Sequence, residues 1–176
     1  LIFVFFVGLC NSCAIIVGKY VGDGKHREAF AAAKRFMIMV PLLGLVMGVI
    51  IFFTRDALLS IMPIETEAAP SVASSLLVIY GFWLVVRMIP YTAICGIFRA
   101  GGDTKTGCIF EVLAIYVLSI PTALICRALS VPFVMTVFAI FIAEDVVKGS
   151  LCLWRFFSKK WIMQITEIPP EEVYPE

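Results

Sequence analysis

Residues 71–95 have the sequence SVASSLLVIYGFWLVVRMIPYTAIC, which contains a single charged side chain, Arg87. A helix that crosses about 30 Å of hydrocarbon needs about 20 predominantly apolar residues, so this stretch is long enough to span a bilayer. Its apolar residues surround the helix instead of forming one stripe, which is typical of a helix embedded in lipid or buried. The stretch therefore predicts a transmembrane helix.

Other runs of the same character lie on both sides of this stretch. They cover residues 1–17, 37–53, 106–126 and 132–154. The dyad alternation of a membrane β-barrel is absent, and backbone groups in lipid must pair within their own segment, so helices are expected. The sequence predicts an all-α membrane protein, a polytopic bundle of five transmembrane helices over residues 1–154, followed by a tail over residues 155–176.

The composition of the whole chain agrees with this prediction. Hydrophobic residues make up 61% of the chain and charged residues 15%, the mean hydropathy is +1.01, and the net charge is +1. Soluble domains contain about 25% charged residues. This composition excludes a disordered chain and a nucleic-acid-binding module. With one histidine, His26, and no Ser-His-Asp set or phosphate-binding glycine loop, we expect no enzyme activity, no cofactor and no metal site.

The connectors between the apolar runs differ in charge. Counted over alternating connectors, ten Lys and Arg residues fall on one side of the membrane and two on the other. The positive-inside rule then places residues 18–36, residues 96–105 and the tail in the cytoplasm, for a multi-pass protein of the plasma or inner membrane. Within the first connector, His26–Phe36 is expected to be either a short interfacial helix or a solvated basic loop.

Five ionisable residues fall inside the predicted spans: Arg87, Glu111, Glu144, Asp145 and Lys148. On insertion scales each costs about 2.5–3.5 kcal/mol at the centre of a helix, so each needs a partner or a task. One interpretation is a protonatable or cation-binding cluster that faces the interior of the bundle. The other is a structural network, in which Arg87 pairs with Glu144 or Asp145 across helices and Lys148 takes the remaining carboxylate.

Prolines are expected to interrupt the helices. Pro41, Pro90 and Pro121 lie inside three of the predicted spans, and each removes one backbone hydrogen bond. We expect a kink at Pro121 in particular. Discontinuous helices near the middle of a membrane often mark the sites of transporters.

Several short motifs resemble those of multidrug and toxic compound extrusion (MATE) transporters. Residues 96–104, GIFRAGGDT, are similar to the G-[IV]-[LF]-R-[AG]-x-G-D-T loop of that family. Three further resemblances are VGKYVGDG at 17–24, Ile-Pro at 120–121, and EDVVK at 144–148 followed by SKKW at 158–161. The last pair is similar to the end of a bacterial subgroup. The order and spacing of these motifs, from about residue 8 to residue 166, make the resemblance specific.

The resemblance implies a fold and a function. MATE transporters have twelve helices in two six-helix lobes, and this chain resembles helices eight to twelve of the second lobe, as a fragment whose partner is the N-terminal lobe of the same transporter. The implied function is efflux of cationic or amphiphilic small molecules across the lipid bilayer, by antiport with H⁺ or Na⁺ and alternating access. Alternatives are a flippase for lipid-linked precursors in the same superfamily, or a membrane-embedded structural or assembly subunit.

The resemblance also implies roles for individual residues. The candidates for ion coupling or solute contact are Glu111, Glu144, Asp145 and Arg87. The sodium-site carboxylate of some family members does not carry over, because Met88 stands at that position, eight residues before Gly96.

The loop motif is expected to be structural or gating. Its residues are Gly96, Arg99, Gly101, Gly102 and Asp103. We expect Arg99 to donate hydrogen bonds to carbonyls at the end of a helix. We expect Asp103 to cap the start of the next helix.

Overall fold

The computed structural model describes residues 2–61 and 69–163. Within these ranges the chain forms five continuous helices and no strand, which confirms the all-α prediction. The first two are α1 (Ile2–Gly22) and α2 (His26–Ile61). The third is α3 (Ala69–Tyr91) continued by the π-helical segment π1 (Thr92–Phe98).

The last two continuous helices each contain a π-helical segment in their middle. The fourth consists of α4 (Thr104–Leu113), π2 (Ala114–Ser119) and α5 (Ile120–Ala128). The fifth consists of α6 (Phe133–Phe141), π3 (Ile142–Val146) and α7 (Val147–Phe157).

Four of the five helices are long and apolar enough to cross a membrane. These are Phe3–Gly22, His26–Ser60, Pro70–Phe98 and Thr104–Ala128. The α6–π3–α7 helix carries Glu144, Asp145 and Lys148 within its length. That this helix crosses the bilayer stays a prediction. The set of five transmembrane spans therefore also stays a prediction.

The basic segment after α1 differs from both alternatives expected for it. Instead of a separate interfacial helix or a loop, His26–Phe36 forms the first turns of α2, which has 36 residues. A tight turn precedes it, in which Gly24 has a φ of +70°. At 1.5 Å per residue α2 is about 54 Å long, so its basic turns extend beyond the hydrocarbon that its apolar part crosses.

The closest helix contact joins α2 and α3 at two glycines. A Cβ on Gly48 would collide with the backbone carbonyl of Gly81, and a Cβ on Gly44 would lie 3.4 Å from the carbonyl oxygen of Leu84. Small residues allow membrane helices to approach backbone to backbone, where van der Waals contact replaces the hydrophobic effect. This contact fixes α3, and therefore Arg87, against α2.

Two of the π-helical segments lie next to a proline. π1 begins two residues after Pro90, and π2 ends two residues before Pro121. Because proline has no N–H to donate, the hydrogen-bond ladder changes register there. π3 contains no proline but holds Glu144 and Asp145. Single π turns inside α-helices occur frequently at functional sites. The π-helical segments therefore indicate the same region of the bundle as the ionisable residues do.

Candidate functional site

Among the four candidates for ion coupling or solute contact, Asp145 is the most deeply buried, with a side chain 1% exposed. Trp83, on α3, donates a hydrogen bond from Nε1 to Asp145 Oδ2 over 2.8 Å. Arg87, one turn further along α3, places Nη1 3.6 Å from the same oxygen, and its guanidinium lies 5.2 Å from the centroid of the Phe141 ring. Arg87 therefore forms one of the two cross-helix pairs expected for it.

Lys148 forms a second charged centre. Its Nζ donates to Glu144 Oε1 at 2.9 Å, within the same helix, and to Glu111 Oε1 at 3.2 Å, on α4. The Ser119 hydroxyl donates to the other oxygen of Glu144 over 2.7 Å. Lys148 and Glu144 are almost buried, whereas the Glu111 side chain is 46% exposed. The lysine thus connects the fourth helix to the fifth.

The two centres form one cluster, because Glu144 and Asp145 are consecutive in π3. The cluster contains three carboxylates and two cationic side chains, so it carries one excess negative charge when all five groups are ionised. Within the part of the chain that the structure describes, Asp145 Oδ1 is buried without a hydrogen-bond partner. Such an acceptor calls for a proton, an ion or a water molecule.

A cavity of about 530 Å³ gives access to this cluster. Its walls combine charged side chains with apolar and aromatic ones, which is the composition of a small-molecule site. The lining residues are Phe3, Arg87, Tyr91, Ile94, Cys95, Arg99, Thr104, Cys108, Glu111, Asp145 and Lys148. Three of the four predicted coupling or solute residues line it directly, and Glu144 lies behind Lys148.

The glycines of the loop motif are sites of close packing. A Cβ on Gly96 would lie 3.1 Å from Cys13 Sγ, and one on Gly101 would collide with Trp161. Gly102 has a φ of +86°, a backbone conformation that favours glycine. Met163 donates its backbone N–H to the carbonyl of Gly101 over 2.9 Å. The motif therefore joins α1, π1 and the turn that follows α7.

The role expected for Asp103 as a helix cap is wrong. Asp103 occupies the position before α4, but its side chain makes no capping hydrogen bond to the backbone. The carboxylate is fully buried, accepts a hydrogen bond from the Thr106 hydroxyl, and pairs with Arg155 Nε at 2.8 Å. Arg155 comes from the end of α7, so tertiary contact supplies a stronger, charged partner than the amides of α4 do.

Arg99 also differs from expectation. Its side chain donates no hydrogen bond to a helix-end carbonyl and forms no ion pair within residues 2–61 and 69–163, and Arg99 is an exposed residue of the cavity lining. The predicted tail begins at residue 155, within α7, which ends at Phe157, and residues 158–163 fold back on the loop motif. The rest of the tail lies outside the described residues.

Sequence reasoning missed four residues that complete these contacts: Trp83, Ser119, Arg155 and Trp161. One signal was available for Trp83, which precedes Arg87 by four residues and therefore lies on the same face of α3. The other three reach their partners only through packing between helices.

Comparison with known proteins gives one match. A model of the MatE family matches residues 1–125. The matched range contains the loop motif, Arg87, Glu111 and Pro121, and it ends before Glu144 and Asp145. No curated protein and no solved structure matches the chain.

Proposed function

The chain belongs to the MatE family of multi-pass membrane transporters, and we propose that it is part of an antiporter that exports cationic or amphiphilic small molecules in exchange for H⁺ or Na⁺. The observation that carries this proposal is the meeting of three carboxylates, Glu111, Glu144 and Asp145, at one cavity, together with the oxygen of Asp145 that has no hydrogen-bond partner among the described residues. A carboxylate oxygen without a partner attracts a proton or a cation. The cavity that leads to it has room for a small organic solute.

In this proposal, the coupling ion acts on the bridge between the fourth and fifth helices. Glu111 is the carboxylate most exposed to the cavity, and Lys148 holds it from the opposite wall. A proton or Na⁺ on Glu111 removes its attraction for Lys148, which keeps its bond to Glu144. The Glu111–Lys148 link between the fourth and fifth helices is then lost, while Ser119 still donates to Glu144, and the shape of the cavity changes with the ion.

A cationic solute competes with that ion for the same charge. Both bind at the carboxylates of the cluster, so occupancy by one raises the electrostatic cost of the other. Mutually exclusive occupancy is what antiport by alternating access requires. We propose that the N-terminal lobe of the same transporter faces this cavity, and that residues 155–176 and the basic connectors lie in the cytoplasm.

The experiment is efflux of a fluorescent cationic dye from everted membrane vesicles that contain the transporter, with a proton or a sodium gradient imposed in turn. Glu111→Gln and Asp145→Asn are expected to abolish the response to whichever gradient drives the wild type. Glu28→Gln removes an exposed carboxylate near the start of α2 and serves as the matched control. If both cavity variants respond to the gradients as the wild type does, the coupling assignment is wrong.

One observation favours the flippase as second candidate. The Arg87 side chain is 32% exposed and lies 3.6 Å from Asp145, too far for a good hydrogen bond. It is therefore available to an anionic head group that enters the cavity. Under this alternative, Arg87→Gln eliminates binding of an anionic lipid-linked precursor. Neither the wild type nor the Arg87→Gln variant then exports the dye. Under the antiporter proposal, the wild type pumps the dye.

A further inference from the structure

A second cavity lies far from the charged cluster, at the end of the bundle where α2 begins and α7 ends. It has a volume of about 510 Å³ and is lined by His26, Arg27, Phe30, Lys159 and Ile162. Every titratable residue of its lining is basic. Among the described residues, none of these side chains forms an ion pair with a carboxylate. Within residues 2–61 and 69–163, no ion pair therefore neutralises the positive charge of this cavity.

Rigid packing holds the walls of this cavity in place. Phe30 stacks on Phe156 with centroids 5.1 Å apart, and Phe156 stacks on the fully buried Trp161 with centroids 6.1 Å apart. Trp161 Nε1 also donates a hydrogen bond to the Phe156 carbonyl over 3.2 Å. The turn after α7 is thus fixed to the start of α2 by three aromatic rings.

Lys159 is held in an unusual conformation within that turn. Its φ is +57°, a value that residues with a side chain rarely adopt. Its Nζ lies 5.1 Å from the centroid of the Phe30 ring, and Lys159 lines the cavity together with Arg27. The backbone therefore presents this lysine to the cavity instead of leaving it to extend freely into solvent.

A separate apolar groove lies along the same face of α2. It is lined by Met37, Ile38, Pro41, Leu42, Leu45, Val85, Ile89 and Leu153. Phe30, Met37 and Pro41 follow one another at intervals of seven and four residues, so they lie on one face of the helix. The groove begins about 10 Å along the helix axis from the basic cavity.

We propose that the basic cavity binds the phosphate of an anionic phospholipid, with an acyl chain in the apolar groove. Basic pockets between transmembrane helices bind such head groups, because a phosphate diester is attracted to Lys and Arg at the membrane surface. The groove distinguishes a lipid from free phosphate, since inorganic phosphate has no apolar part to place there. This site is independent of the transport site and of its proposed function.

The test is native mass spectrometry of the detergent-purified protein with phosphatidylglycerol or phosphatidylcholine added. The wild type is expected to retain phosphatidylglycerol preferentially. Arg27→Gln and Lys159→Gln are each expected to weaken retention about fivefold, the value for one basic residue near an anionic head group. Lys105→Gln, which removes an exposed charge at the start of α4 that lines neither the cavity nor the groove, is expected to retain phosphatidylglycerol like the wild type.

A second arm separates the lipid from its head group. Glycerophosphoglycerol, which has the same phosphate diester without acyl chains, is expected to bind much more weakly than phosphatidylglycerol. Equal retention of the two phospholipids would overturn the proposal, as would wild-type retention by the Arg27→Gln, Lys159→Gln double variant with an unchanged melting temperature. Binding of the head group alone as tightly as the lipid would overturn the assignment of the groove.

Discussion

Lys148 Nζ lies 3.2 Å from Glu111 Oε1, although the two residues are separated by 37 positions in the chain. The same ammonium group binds Glu144, so one almost buried lysine holds two carboxylates on different helices. Neither carboxylate has another cationic partner within 4.0 Å among the described residues. Lys148 is therefore the shared cation of these two carboxylates and links the fourth helix to the fifth.

Lys148→Met is expected to destabilise the protein by about 3–5 kcal/mol, because it leaves buried Glu144 without its cation. The Lys148→Met, Glu144→Gln double variant is expected to recover part of this loss, since it removes the uncompensated charge as well. Thermal unfolding of the purified protein, followed by tryptophan fluorescence, measures both. Additive effects of the two substitutions would show that the ion pair is not energetically coupled.

Arg155→Met is expected to destabilise the protein by a similar amount, about 3–5 kcal/mol. Its partner Asp103 is fully buried, and the pair joins the loop motif to the end of α7. Arg55→Gln is the control, because its pair with Asp56 is exposed and such pairs contribute about 0–1 kcal/mol. Thermal unfolding again provides the measurement. Equal melting temperatures for the two variants would contradict the structural role of the buried pair.

Gly48→Ala is expected to destabilise the protein by about 1–3 kcal/mol, the range for an overpacked contact. The new methyl group would meet the carbonyl of Gly81, and backbone atoms cannot move aside as a flexible side chain does. Gly8→Ala offers a matched control on α1, where nothing lies within 4 Å of the added carbon. The melting temperature of Gly48→Ala is expected to lie below that of Gly8→Ala. A Gly48→Ala protein as stable as Gly8→Ala would show that α2 and α3 are not in backbone contact.

Single cysteines at Lys25→Cys and Arg55→Cys are expected to react from opposite sides of the membrane. Lys25 precedes α2 and Arg55 lies near its other end. Impermeant thiol reagents applied to intact cells and to everted vesicles measure the side on which each reacts. Reaction of both from one side would contradict the crossing of α2 and the proposed orientation.

The extent of the helices could be predicted closely in the middle of the chain and less well at its connectors. The run 71–95 predicts a helix because its apolar side chains need lipid or protein around them, whichever neighbour supplies it. The structure of His26–Phe36 was harder to predict, because a basic, alanine-rich segment is compatible with a helix or a loop. The turn at Gly24 and the continuation of the segment into α2 decide between the two.

The contacts of the candidate site could likewise be predicted only in part from the sequence. The sequence by itself determined that Glu144, Asp145 and Lys148 share one helix, since the Glu144–Lys148 pair follows from the helical repeat alone. Only the tertiary structure decided that Glu111 also binds Lys148, and that Trp83 and Arg87 both contact Asp145. It also decided that Asp103 pairs with Arg155 instead of capping α4. The physical reason is the separation along the chain, because helical periodicity relates only residues that are a few positions apart. Contacts between residues 37 to 62 positions apart depend on how whole helices pack side by side.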